Sequence, residues 1–98
     1  MSVIVVVQGT AQPERLDILK QYQSSARPIL AKHGGQPVVR GSAIASLAGA
    51  HKFQIAIVLR FPDLAAVNAW HNDPDYQKVI PLRTQAYKDL EINVFQEE

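Results

Sequence analysis

The sequence has no cysteine, no run of basic residues and no long apolar segment. Without cysteine it cannot form disulfides, thiolate metal sites or a thiol nucleophile. Its ten basic and nine acidic residues are scattered and give a formal charge of +1, which favours neither nucleic acid nor a membrane surface as a partner. The apolar run 3–7 is too short to span a bilayer, and no signal-peptide features accompany it. We therefore expect a cytoplasmic protein whose first strand begins at once.

Motifs for cofactors and covalent catalysis are also missing. The serines lack the Gly-x-Ser-x-Gly pattern of an activated nucleophile. Gly34-Gly35 follows a predicted helix, whereas a phosphate-binding loop follows a strand. The three histidines, His33, His51 and His71, lack a ligand spacing such as His-x-x-x-His, and no set of carboxylates accompanies them. The sequence therefore predicts neither a cofactor nor a metal site.

What is present predicts one ordinary globular domain over residues 1–98. Apolar residues make up 47% of the chain and charged residues 19%, which is typical of folded proteins. A chain this short buries only one modest core, so contact with a partner would add to its stability.

Apolar periodicity predicts the element order β-α-β-β-α-α-β. Strands are predicted over 3–9, 36–47, 53–61 and 90–96, and helices over about 13–33, 63–70 and 73–88. Pro28 is expected to kink or break the first helix, because it removes a hydrogen bond to the carbonyl of Ser24. The pair Gly34-Gly35 is a plausible C-cap. Gly41 weakens the second strand, which could be bulged or bent.

The strongest local signal is Asp73-Pro74-Asp75, with an aspartate at the N-cap, proline at the first helical position and an acid facing the helix dipole. Together the elements predict an α+β fold with a four-stranded antiparallel sheet and helices on one face. The other face mixes Arg60 and Glu91 with Val58 and Phe95. It could pack against a second sheet, with a polar cavity between the two, or face solvent.

At this point the chain resembles a known family, DUF1330, whose small proteins belong to the dimeric α+β barrel (ferredoxin-like) superfamily. The resemblance covers nearly the whole length. Its pieces are Gly34-Gly35, Arg40-Gly41, Phe61-Pro62, Trp70, the segment 73–77 and Pro81-Leu82-Arg83. The chain departs from the family pattern at Ser42, where a second glycine is common, and in 44–47, which lack an acidic residue. The resemblance implies a ferredoxin-like βαββαβ fold and a homodimer in which two sheets face each other. It implies no reaction.

Four side chains are candidate ligand-binding residues, and each has a structural alternative. Arg40 and Arg83 could bind an anionic group, because a guanidinium grips a carboxylate with two hydrogen bonds. Arg83 could equally pair with an aspartate, Asp75 or Asp89. Tyr76 is expected to pack its ring while its hydroxyl finds a polar partner, and Trp70 could be an apolar wall or a core aromatic.

Two further side chains carry open alternatives. Arg60, in the third strand, is expected to form an ion pair with Glu91 or with a dimer partner rather than to bind ligand. His71 is a candidate catalytic acid or base, since it neighbours Trp70 near a helix end. His33 is expected to complement the dipole at the end of the first helix.

Two principal hypotheses for function follow. The first is a homodimeric small-molecule-binding protein or cofactor-independent enzyme that acts on a small polar or carbonyl-containing compound in a cavity between sheet and helices. In it, Arg40, Tyr76 and Arg83 hold the anionic end, Trp70 forms a wall and His71 is the acid or base. The second is a non-catalytic structural or interaction dimer. A haem-handling or monooxygenase-like role is a third, suggested by relatives in the superfamily.

Overall fold

The computed structural model describes residues 2–50 and 52–98. Its strands are β1 (Val3–Ala11), β2 (Gln36–Ser42), β3 (Ile55–Phe61) and β4 (Tyr87–Gln96), and its helices are α1 (Leu16–Lys32), α2 (Leu64–Asn72) and α3 (Pro74–Ala86). A 3-10 turn, Pro13–Arg15, precedes α1. This order confirms the predicted sequence of elements. None of the helices in the described part of the chain is long and apolar enough to cross a membrane.

The four strands form a single antiparallel sheet in the order β2-β3-β1-β4. The register places Val5 opposite Leu59 on one side and Val94 on the other, so these three side chains share a face. That face meets the helices, as predicted. The main core lies between the two layers and consists of Val3, Val5, Leu30, Leu59, Phe61, Val67, Trp70 and Tyr76. In β3, the core residues Leu59 and Phe61 alternate with Arg60, which lies on the other face of the sheet.

Two predicted strand boundaries are wrong around the β2–β3 connection. The second strand ends at Ser42 rather than Leu47, and the third begins at Ile55 rather than Phe53. Just past the two strands, the amide of Ala43 still donates to the carbonyl of Gln54, 2.8 Å away. Beyond it the chain is rich in alanine, serine and glycine, which offer no alternating apolar face to hold a strand.

Helix α1 runs without a break through Pro28, so of the two predicted effects of the proline, a kink or a break, the break is wrong. Pro28 is exposed, whereas Leu30 two residues later is buried in the core. The packing of this last turn outweighs the one hydrogen bond that the proline removes. Leu16 and Leu64 lie at the first residues of their helices and are half exposed, although helical periodicity alone would place both on the inward faces.

The pair Gly34-Gly35 confirms the predicted end of α1. The amide of Gly34 donates to the carbonyl of Ala31 at 3.1 Å, and that of Gly35 donates to the carbonyl of Leu30 at 3.0 Å. Gly34 has a φ of 77°, the left-handed conformation that this Schellman motif needs. The motif turns the chain sharply from the helix into β2.

The outer face of the sheet, away from the helices, combines apolar and charged residues. A row of valines, Val39, Val58 and Val6, crosses three neighbouring strands. Arg60 forms two hydrogen bonds of 2.9 Å with Glu97, so the expected pair with Glu91 is wrong. The register explains this, because Glu91 lies opposite Gln8, far along the sheet from Arg60.

Candidate functional site

A cavity of about 410 Å³ lies between the inner face of the sheet and helices α1 and α3. All four strands, β1 to β4, contribute to its floor, and its walls are mostly aliphatic and aromatic. Four of the five predicted site residues line it: Arg40, Trp70, Tyr76 and Arg83. Sites for small molecules commonly have this size and an apolar lining with a few polar groups.

Trp70 and Tyr76 form an aromatic wall of the cavity. Their ring centroids lie 4.7 Å apart, and Phe61 stacks behind Trp70 at 5.4 Å. Trp70 is 4% exposed and Tyr76 is fully buried. The two rings come from the last turn of α2 and the first turn of α3, so the short junction between these helices determines their positions.

Asp73 organises that junction. Its side chain caps α3 by accepting the amide of Asp75 at 2.8 Å, and it also contacts Nε2 of His33 at 2.7 Å and Nζ of Lys32 at 3.1 Å. These hydrogen bonds, from His33 first, hold the pKa of Asp73 well below its usual range. The carboxylate therefore ties the end of α1 to the start of α3. The sequence predicted the cap but expected His33 to face only its own helix dipole.

A cluster of hydroxyls and one guanidinium lies beside the aromatic wall. The hydroxyl oxygens of Tyr22 and Tyr76 are 2.7 Å apart, and Nη1 of Arg83 donates to the Tyr76 hydroxyl at 3.1 Å. The guanidinium carbon of Arg83 lies 5.9 Å from the centre of the Tyr76 ring, close enough for a cation–π contact. Burial, together with the neighbouring Tyr76, raises the pKa of Tyr22 far above its usual value. Its phenol therefore stays protonated near neutral pH.

The cavity carries positive charge. Arg27, Arg40 and Arg83 line it, and none of the described lining residues is Asp or Glu. Among the residues that the structure describes, Arg40 and Arg83 have no carboxylate within ion-pair distance. The predicted alternative for Arg83, a pair with Asp75 or Asp89, is therefore not formed.

A bulge in β2 determines where Arg40 lies. The register with β3 shifts between Pro37 and Val39, so that Arg40 pairs with Ile57, whose side chain faces the helices. With an unbroken register, Arg40 would pair with Ala56 and lie on the outer face of the sheet. The extra residue thus directs one arginine into the cavity. The predicted bulge exists, but it precedes Gly41 by several residues.

His71 lies next to the aromatic wall and is not among the residues that line the cavity. Its ring centroid is 6.0 Å from that of Trp70 and 5.6 Å from that of Tyr76. Partial burial and the charge of Arg83 lower the pKa of His71, so the neutral imidazole is favoured at pH 7. His51 lies outside the described residues. Within 2–50 and 52–98, no three side chains of metal-binding type are close enough together to hold an ion.

Sequence reasoning missed two tyrosines of the site. Tyr22 lies on the core-facing stripe of α1, where periodicity indicates only packing, and Tyr87 falls inside the predicted helix 73–88, whereas in the structure it is the first residue of β4. Burial raises the pKa of Tyr87, while Gln23 and Arg40 act in the opposite direction. The usable signal was chemical: a tyrosine on a core-facing stripe needs a partner for its hydroxyl.

Solved structures with the same architecture place this fold among known proteins. A protein of unknown function from Rhodopseudomonas palustris matches with a TM-score of 0.87 at 17% identity, over 99% of this chain and 82% of that one. A dabb family protein with a ferredoxin-like fold from Mesorhizobium loti matches at 0.73 and 15% identity, over 99% and 97%. A dimeric ferredoxin-like protein of unknown function from a Jannaschia species matches at 0.77 and 11% identity, over 99% and 100%.

At these identities the likeness concerns the fold, which is ferredoxin-like as predicted. The search of curated proteins gave no match. The family model described as a domain of unknown function, DUF1330, matches residues 4–95. This match confirms the resemblance carried by the glycine pair and by the segment from Trp70 to Arg83. The chain belongs to the DUF1330 family.

Proposed function

We propose that this protein is a homodimeric small-molecule-binding protein whose ligand occupies the cavity between sheet and helices. The observation that carries the proposal is the cavity itself, about 410 Å³ in volume, in which arginines from β2 and α3 meet aromatic and aliphatic walls. A positively charged pocket with an apolar lining and no internal counter-charge among its described residues suits a compound with an electron-rich polar end.

In this proposal the ligand lies with its apolar body against Trp70 and its polar end near Arg40, Tyr76 and Arg83. Arg83 is held over the Tyr76 ring, which fixes its guanidinium before a ligand arrives. Such preorganisation reduces the entropy lost on binding. An acid–base role for His71 stays a prediction, and it would have to act from outside the lining of the cavity, which does not include His71. A cytoplasmic location and the absence of nucleic-acid or membrane partners also stay predictions.

A thermal-shift screen tests the binding function. Small polar and carbonyl-containing compounds are added at millimolar concentration to the wild type, to Arg83→Gln and to Arg15→Gln, an exposed arginine remote from the cavity. A ligand at one hundred times its Kd stabilises the folded state by about 2.7 kcal/mol, which raises Tm by roughly 10 °C or more. We expect shifts in the wild type and the Arg15 variant that shrink in the Arg83 variant.

If no compound shifts Tm, or if every shift survives Arg83→Gln, the cavity is not the binding site proposed here. The chain would then fit the second hypothesis, a structural or interaction dimer. The single tryptophan gives an independent check, since Trp70 lines the cavity and its fluorescence reports occupancy directly.

The homodimer is proposed to form through the outer faces of two sheets. The valine row Val39, Val58 and Val6 supports it, as do Ile4 and the half-exposed Phe95, which lie opposite each other on adjacent strands. Several structures with this fold are described as dimeric. A lone four-stranded sheet would leave these side chains wet, whereas homodimer interfaces commonly bury on the order of 2,000 Å² or more.

Light scattering across a dilution series, with Val58→Asp as the variant, tests the dimer. A buried aspartate without a partner in the middle of the interface should dissociate it. Lys88→Asp, at an exposed position on the β4 edge strand, serves as a control. A wild type that stays monomeric and folded at micromolar concentration refutes the proposal. A dimer that tolerates Val58→Asp places the interface on another surface.

A further inference from the structure

The cavity contains more hydrogen-bond donors than acceptors. Guanidinium groups have donors and no acceptor, and three arginines line it while its described residues include no carboxylate. Nε1 of Trp70 is a further donor without a hydrogen-bond partner among the described residues, but it is buried, so a ligand would meet the Trp70 ring and not this N–H.

One of the two tyrosine hydroxyls also has an O–H donor that is not used within the described residues. Arg83 already donates to the Tyr76 oxygen, and one hydrogen bond joins that oxygen to Tyr22. Two hydroxyl protons share this single link, so one of them has no acceptor in the described residues. Tyr76 is fully buried, whereas Tyr22 is only half buried and lines the cavity.

The direction of the link follows from these facts. If Tyr22 donated to Tyr76, the proton of a fully buried hydroxyl would be left without an acceptor. If Tyr76 donates to Tyr22, the hydroxyl hydrogen without an acceptor is that of Tyr22, the tyrosine nearer to solvent. The positive Arg83 also polarises the Tyr76 hydroxyl and makes it the better donor. The chain of donors therefore runs from Arg83 to Tyr76 to Tyr22 and ends in the cavity.

We propose that the ligand is a carboxylate with an apolar body, and that Tyr22 is a ligand-binding residue that donates its hydroxyl proton to the carboxylate. This inference rests on the proposed binding function and deepens it, because it names the polar end of the ligand. A carboxylate accepts at both oxygens and donates from neither, so it complements the donors of Tyr22 and Arg83 together, while the apolar body of the ligand lies against the Trp70 ring. A primary amide of the same shape presents two N–H groups to donors and fits poorly.

Pairs of acids and their primary amides test whether the cavity prefers a carboxylate. Benzoate, phenylacetate, hexanoate and 1-naphthylacetate are compared with their primary amides by isothermal titration calorimetry, with Trp70 fluorescence as a second readout. The proteins are the wild type, Tyr22→Phe and Ser24→Ala. Ser24→Ala also removes a hydroxyl from α1, but at an exposed residue outside the cavity. Tyr22→Phe keeps the ring and its packing, and a circular dichroism spectrum and Tm confirm that each variant is folded.

We expect at least one acid to bind about tenfold or more tighter than its amide, since a hydrogen bond to a charged group contributes on that scale. Tyr22→Phe should weaken that acid by a similar factor and leave amide binding unchanged. Ser24→Ala should change neither. Amides that bind as tightly as acids, or an acid affinity that survives Tyr22→Phe, overturn this inference and leave the binding function intact. If neither acids nor amides bind at millimolar concentration, both this inference and the proposed function fail.

Discussion

Gly35 is the position where one added methyl group should disturb the core most directly. A Cβ built there would lie 2.8 Å from Cγ of Leu30 and 2.8 Å from Cζ of Phe61, and it would contact Cδ1 of Leu30 more closely still. Carbon atoms in protein interiors pack at about 3.5–4.0 Å, so both neighbours would have to move by roughly an ångström. Both are buried in the core and cannot swing into solvent.

The expected loss for Gly35→Ala is about 1–3 kcal/mol, the usual range for an overpacked core. For a chain of this length it corresponds to a fall in Tm of roughly 5–20 °C. Gly41→Ala is the matched control, because nothing lies within 4 Å of a Cβ at Gly41. It should change the free energy of unfolding by about 0.5 kcal/mol or less. Urea unfolding at one fixed protein concentration measures both variants, since self-association would make stability depend on concentration.

A double-mutant cycle identifies the cause. Leu30→Ala removes the side chain that a methyl at Gly35 would strike, so Gly35→Ala should be less harmful in that background. We expect a coupling of about 1 kcal/mol or more in the relieving direction. If Gly35→Ala is as harmless as Gly41→Ala, or if Leu30→Ala gives no relief, the steric argument is wrong.

Three further predictions concern α1, the helix junction and His71. Pro28→Ala should leave stability unchanged or raise it by up to about 1 kcal/mol, because it restores a hydrogen bond within a continuous helix; a loss above about 2 kcal/mol in urea unfolding contradicts this. Asp73→Asn should lower Tm at pH 7, and the difference in Tm between this variant and the wild type should become smaller below about pH 4. Asp75→Asn is the exposed control. The pKa of Asp73 is depressed in the folded state, so the carboxylate stabilises the fold above its unfolded pKa of about 3.9, and this stabilisation fades as the pH falls below that value. A difference in Tm that is the same at pH 7 and pH 3 refutes this prediction. In NMR titrations Arg83→Gln should raise the pKa of His71, since the charge of Arg83 lowers it in the wild type. An unchanged pKa of His71 would contradict this electrostatic effect.

Much of the fold could be predicted because its signals are local. The alternation in β3, the cap at Asp73 and the glycine pair after α1 each depend on a few neighbouring residues. The end of β2 could not be predicted, because it depends on where its partner strand begins. Pro28 shows the same limit, since the burial of Leu30 keeps the helix intact against a local rule.

The site could be predicted only in part. Trp70, Tyr76 and Arg83 fall within one short segment, which made them visible together. Arg40 reaches the cavity through a register shift in β2, and a shift of one residue exchanges the two faces of a strand. Tyr22 pairs with Tyr76 across 54 positions of the chain. Such long-range pairs depend on how α1 packs against α3, which no local pattern specifies.

One contact, between His33 and Asp73, joins two distant pieces of the family resemblance. These pieces are the glycine pair and the Trp70–Arg83 segment. The Schellman turn at Gly34-Gly35 ends α1 so that His33 reaches Asp73 at 2.7 Å. Asp73 in turn caps the helix whose first turn carries Tyr76, and Tyr76 holds Arg83. Asp73 therefore has a positioning role: it contacts neither the cavity nor its arginines, yet it fixes the helix that presents them. The resemblance thus marks residues that build the cavity wall, and in the proposed function the donors that this wall supports would select the ligand.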